Sequence, residues 1–213
     1  MNMKLARRVL AVTMAASLLV VPFTVGATDT PSQSSTSETS QEATVAEVAT
    51  VATTSQVNDG GKVIKNEIPG AFLITANDPA FSGVAFTETG ASVASKAGVT
   101  GKVFSHTYTL TRAKSGAAFA SFDSAAASVG GKVVGGLNID LGAISNGRFT
   151  SLPAGVKTTV SIKIKNAVPG ATYYIARVTP GGATELIPIT VDANGVASFE
   201  VVGGLAAYGL IQA

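Results

Sequence analysis

The 213-residue sequence contains no cysteine, no tryptophan and one histidine, and only 13% of its residues are charged. Without cysteine there is no disulfide framework, no thiolate chemistry and no lipobox for lipid attachment. One histidine and no thiol fall short of the usual zinc ligand set. Sugar-binding modules commonly stack their ligands on exposed aromatic faces, and here four tyrosines must stand in for the missing Trp. Long apolar runs are also scarce. The one present, Val9 to Val25, follows Lys4, Arg7 and Arg8 and leads into Val25-Gly26-Ala27. This order of positive, apolar and small residues predicts a secretory signal peptide over 1–27, cleaved after Ala27. A retained anchor is the rival reading, but the run is marginal in length for a bilayer core and lacks charge on its far side. With no Leu-Pro-x-Thr-Gly sorting signal and no apolar C-terminus with a basic tail, the expected product is secreted or associated with the cell surface, with no membrane span after cleavage.

Residues 28–61 contain Asp29, Glu38, Glu42, Glu47 and Asp59 but no Lys or Arg, set among Ser, Thr, Ala, Val and Gln. Such a composition buries too little apolar surface to offset chain entropy, so it reads as a disordered Ser/Thr-rich linker. The chain's formal charge of +2 divides unevenly along its length. The expected leader contains three of the 15 basic residues, and the linker five of the 13 acidic ones. From Lys62 onward 12 basic residues face 8 acidic ones, a mild and scattered excess. A nucleic-acid footprint would need clustering, so nucleic acid is excluded as a partner.

Residues 62–213 read as one mainly β domain with an immunoglobulin-like β-sandwich fold and one main short helix, an α+β arrangement being the alternative. Val160, Ile162 and Ile164 alternate with Ser161, Lys163 and Lys165, as on a strand with one buried and one wet face. Asn194-Gly195 between two β-prone runs is a hairpin signal of the type I′ kind, and Ser145-Asn146-Gly147-Arg148 is a second. Lys62–Ile68, Ala71–Thr75, Phe81–Phe86 and Lys102–Arg112 are further strand candidates. In the last of these Phe104, His106, Tyr108 and Leu110 share one face. Thr87–Ala97 has room for a short helix. Ala117–Val129 is the main one, with Phe119, Phe122 and Ala126 on its buried side and Gly130-Gly131 ending it.

Three segments, Ser121–Leu141, Val178–Ile187 and Gly203–Ile211, resemble small secreted proteins of Clostridia-type Firmicutes. Ala197-Ser-Phe199-Glu-Val201 followed by Ala207-Tyr208-Gly209-Leu210 resembles the β module that closes many Gram-positive surface proteins. The resemblance implies an extracellular immunoglobulin-like module and brings no catalytic residues. Where those modules often carry a His-Phe-Ser segment before the closing Tyr, this chain has Gly203-Gly-Leu-Ala206.

The chemistry-bearing residues are few. His106 reads as a core or edge histidine. A Ser-His-Asp arrangement would have to draw on Ser105 or Ser121 with Asp123 or Asp140, yet no Gly-x-Ser-x-Gly elbow is present. A carboxylate-dependent hydrolase would require two of Asp78, Glu88, Asp123 and Asp140 to meet at about 5 to 10 Å. Asp192-Ala-Asn194-Gly195 lacks the later ligands of a calcium loop and reads as a turn. Lys132 between two Gly pairs lacks a phosphate-loop pattern. No catalytic, cofactor-binding or metal-binding residue is therefore assigned, and no cofactor is expected. Tyr173 and Tyr174 are the candidate ligand contacts, and Tyr208 is expected to anchor the closing strand as in a tyrosine corner. The expected function is a non-enzymatic surface or extracellular interaction module. A carbohydrate- or envelope-polymer-binding module is the alternative and a hydrolase the second alternative, with an envelope polymer, a glycan or an extracellular protein as partner.

Overall fold

A computed structural model describes residues 56–70 and 78–213. The expected leader, the linker up to residue 55 and the strand candidate at Ala71–Thr75 lie outside the described residues. The described chain forms the β-sandwich expected from its alternating strands, with two helices. A three-stranded sheet takes the order β10 (Val196–Val202), β7 (Lys157–Ile164), β3 (Phe81–Phe86). The larger sheet runs β4 (Lys102–Thr109), β5 (Lys132–Ser145), β11 (Gly204–Gln212), β8 (Tyr173–Val178), β9 (Thr184–Ile189). A short strand, β6 (Arg148–Ser151), pairs with the far end of β5. All these pairings are antiparallel.

The core lies between the sheets. Val84, Val160, Ile162, Ile164 and Phe199 from one sheet meet Leu137, Ile139, Leu141, Ile175, Tyr208 and Leu210 from the other. α1 (Gly90–Ala97) joins β3 to β4 and adds Val93 and Ala94 to this core. Thr89 caps its first turn through Ser92 N–H, and Gly98 ends it at φ 63°. Glu88 ties the helix to the sheet, accepting hydrogen bonds from Ser92 at 2.6 Å and Thr158 at 2.8 Å and pairing with Lys96 at 2.6 Å. The main helix, α2 (Gly116–Ser128), lies on the outer face of the larger sheet. Its C-terminus closes as expected from Gly130-Gly131: Gly130 is left-handed at φ 65°, and Gly131 N–H donates to Ala126 O at 2.9 Å.

Three expectations are corrected. The linker does not extend to Gly61, because β1 (Gln56–Asp59) pairs with β2 (Lys62–Lys65). That hairpin packs Val57 and Ile64 against Ala85 and Val196 on the outer face of the smaller sheet. For the same reason the second face of β7 is not uniformly wet: Ser161 is buried and shares a 2.8 Å hydrogen bond with Ser198.

The turns also differ in kind. Asn146 and Gly147 both have positive φ, 52° and 74°, as a type I′ hairpin between β5 and β6 requires. At Asn194-Gly195 only Gly195 does. There the Asp192 carboxylate accepts the N–H groups of Asn194 and Val196, both at 2.8 Å, shaping a longer turn that carries the chain from one sheet to the other. β4 turns its less aromatic face inward. Its core-facing residues are Val103, Ser105 and Thr107, so the Phe104, His106 and Tyr108 face points outward. The inward hydroxyls of Ser105 and Thr107 satisfy one another at 2.6 Å, which permits polar residues on the buried side.

Candidate functional site

The outer face of the larger sheet is divided in two. α2 covers one half, where Phe119 and Phe122 pack with Leu110, Ala176 and Ile211. The helix docks closely because glycines lie beneath it. A Cβ at Gly209 would stand 2.4 Å from Phe122 Cγ, and one at Gly136 would stand 3.0 Å from Phe122 Cε2. Arg112 pairs with Asp123 at 2.6 Å, and its guanidinium lies 4.8 Å from the centre of the Phe119 ring.

The half not covered by α2 is built from β4, β5, β6 and the start of β11. Register places Tyr108 opposite Asn138 and His106 opposite Asp140. On the other side of β5, Asn138 faces Ala207 and Asp140 faces Leu205. Because side chains directly opposite one another share a face, these six form a block of three strands by two rows. Tyr108 is 51% exposed and Leu205 46% exposed, in a structure where few large hydrophobics are. Phe149 edges the block, its ring stacked on His106 with centroids 4.1 Å apart and planes 19° apart. That ring occupies the space over Gly142, where a Cβ would stand 2.2 Å from Phe149 Cζ.

Two polar groups define the chemistry of the block. Ser151 Oγ donates to Asp140 Oδ1 at 2.9 Å, which leaves the other carboxylate oxygen available as an acceptor. Asn138 is only 6% exposed, and its buried Nδ2 has no hydrogen-bond partner among the described residues. Buried amide donors are nearly always satisfied in folded proteins, and an unmade bond costs about 1 to 3 kcal/mol. Among the described residues, a costly unpaired donor therefore lies beside an exposed aromatic ring.

The tyrosines singled out from sequence lie elsewhere. Tyr173 faces the core at 2% exposure, with its hydroxyl oxygen accepting Val168 N–H at 2.9 Å, so its ring has no surface to offer. Tyr174 is half-buried against the cluster under α2. Tyr173 shares the inward face of β8 with Ile175, and its neighbour on β9, Ile189, packs against the same core. Tyr208 anchors the closing strand as expected, accepting Val202 N–H at 3.1 Å. Burial pushes its hydroxyl pKa up to about 12.

The serines and carboxylates considered for catalysis are dispersed. Ser105 is buried against Thr107, and Ser121 lies on α2, where its hydroxyl donates to Ala117 O at 3.4 Å. Asp78 accepts the N–H groups of Ala80 and Phe81 at 2.8 and 2.7 Å and the Thr109 hydroxyl at 2.6 Å. Glu88 is held by α1 and β7, Asp123 by Arg112, and Asp140 by Ser151. Burial pushes Glu88 upward, but its hydrogen bonds from Lys96, Ser92 and Thr158 outweigh that and leave it below the usual glutamate value.

The site residues that sequence reasoning missed are Tyr108, Asn138, Asp140 in a binding role, and Leu205. Among the described residues β4 ends the larger sheet, and three aromatic side chains, Phe104, His106 and Tyr108, share its outward face. Comparison with protein-family models, with curated proteins and with solved structures returns no match.

Proposed function

We propose that this protein is a secreted, non-enzymatic module that works outside the cytoplasm by binding, with the half of the outer sheet face left open by α2 as its contact surface. One observation carries the reading: exposed Tyr108 stands directly across from Asn138, whose buried amide donor is unpaired among the described residues. A sandwich whose described residues close its other faces with a helix and a hairpin, yet leave this block open and a donor unmet, is arranged to receive a ligand. Binding is favoured over hydrolysis because Asp78, Glu88, Asp123 and Asp140 are each engaged by different partners on different elements. The extracellular setting rests on the leader expected at 1–27 and on the resemblance to secreted Gram-positive modules.

The test has two parts. Tagged chain expressed in a Gram-positive host is fractionated into medium, wall and membrane, and purified chain is sedimented with isolated envelopes. The reading expects a processed chain outside the cytoplasm, and sedimentation that is lost in the double variant Tyr108→Ala, Leu205→Ala. A cytoplasmic, unprocessed chain would overturn the secreted assignment. Sedimentation unchanged in the folded double variant would overturn the assignment of the surface.

A further inference from the structure

The geometry points to a neutral glycan as the occupant of the open block, one sugar ring lying against Tyr108 with its hydroxyl edge over Asn138 and Asp140. This inference rests on the binding reading of the same surface and adds the chemical class of the ligand.

Size is the first argument. Three strands about 4.8 Å apart and two rows about 7 Å apart give a footprint of about 10 Å by about 7 Å, the scale of one pyranose ring with its substituents. Polarity is the second. Asn138 supplies an amide donor that is enclosed and unpaired among the described residues and that meets an oxygen acceptor once the amide turns outward, and Asp140 supplies a carboxylate acceptor that needs a donor. A sugar hydroxyl is both donor and acceptor, and neighbouring hydroxyls on one ring edge can meet both groups together. The flat C–H face of the same ring suits the exposed Tyr108 ring, and Leu205 provides a second apolar contact across the block.

Charge is the third argument. No lysine or arginine occupies a position in the block, whose outward residues are His106, Tyr108, Asn138, Asp140, Leu205 and Ala207. A phosphate- or carboxylate-bearing ligand would meet the Asp140 carboxylate without a guanidinium or ammonium to offset it. The block therefore selects against anionic polymers, although the domain as a whole carries a basic excess. A neutral polyhydroxylated chain meets every group present. Neighbouring sugar units would extend past the His106 and Phe149 stack on one side, since α2 closes the other.

The experiment titrates the full chain with three neutral series, oligomers of glucose, mannose and N-acetylglucosamine, by calorimetry and by tyrosine fluorescence. The latter is unobscured because the chain has no Trp. Tyr108→Ala and Asn138→Leu are run in parallel, with thermal melting of each. Saturable binding of at least one series is expected, weakened about tenfold or more in each variant. Asn138→Leu should melt at or above the parent temperature, since it removes an unpaired buried donor, so its binding loss cannot be put down to unfolding. Absence of binding to all three series at millimolar concentration overturns the glycan assignment. If envelope sedimentation nevertheless still requires Tyr108 and Leu205, the binding surface stands and the occupant is of another class. Protease treatment of the envelopes that abolishes this sedimentation identifies that occupant as protein. Glycan binding that is unchanged in both folded variants overturns the location.

Discussion

The ring of Phe149 fills the space above Gly142 and stacks on His106, so that one residue from β6 spans β5 and braces the outward face of β4. A methyl group at Gly142 would enter the volume of that ring. Gly142→Ala should displace Phe149 and cost about 1 to 3 kcal/mol. In a Phe149→Ala background the same substitution should cost distinctly less. A double-mutant cycle by urea unfolding measures the coupling, which should exceed about 0.5 kcal/mol.

The seat of α2 makes a second prediction. Phe122 is fully buried over Gly209, where a Cβ would meet three of its ring atoms within 2.8 Å. Phe122 has no exposed side toward which to yield. Gly209→Ala is therefore expected to destabilise by about 3 kcal/mol, the upper end of the overpacking range. Phe122→Ala should cost about 3 to 5 kcal/mol. Both are read from denaturant midpoints at constant slope.

Tyr208 predicts an alkaline transition. Its folded pKa is raised to about 12 by burial, so the folded state keeps its proton where the unfolded chain loses it. The associated stability is whole below the unfolded value of about 10 and is lost as pH rises toward 12. Tyr208→Phe should remove this slope between about pH 10 and 12. At neutral pH it should cost about 1 to 3 kcal/mol, because Val202 N–H loses its acceptor.

Two carboxyl groups predict opposite acid behaviour. Glu88 lies below its ordinary value, so its contribution is whole above the glutamate range and is lost as pH falls through the folded pKa. Glu88→Gln should flatten that acid limb. Asp59, by contrast, is raised by its hydrogen bond to Asp192, then by burial and by the Asp192 charge. A raised pKa means that its contribution is present at low pH and lost as pH rises through the folded value. Asp59→Asn keeps a donor toward Asp192 without the second charge. It should therefore raise the melting temperature at neutral pH, and the gain should fade on acidification.

These residues also show how far the sequence alone could lead. The alternation in β7, the Phe119, Phe122 and Ala126 stripe of α2, its glycine stop and the anchoring role of Tyr208 were all legible, because each depends on local periodicity or on one backbone partner. The strand at Gln56–Asp59 was not, since Val57 becomes buried, and its polar neighbours paired, only through a hairpin docking on distant Ala85 and Val196. Which face of β4 turns inward was also hidden. Aromatic content favours the Phe104, His106 and Tyr108 face for the core, but the mutual hydrogen bond of Ser105 and Thr107 lets the polar face take that place. The candidate site follows from that inversion. Its central amide, Asn138, shows no sequence signature, because being unpaired is a property of the assembled sheet.

The most direct measurement is the side-chain amide resonance pair of Asn138 in 1H–15N spectra of the full chain, followed during titration with the neutral oligosaccharide series that binds. Saturable shifts of that pair, together with backbone shifts at Tyr108, Asp140 and Leu205 and little change along α2, are the predicted result. Shifts confined to other surfaces, such as the turns around Asn166 and Asp192, with the Asn138 amide unmoved at saturation, would contradict the account.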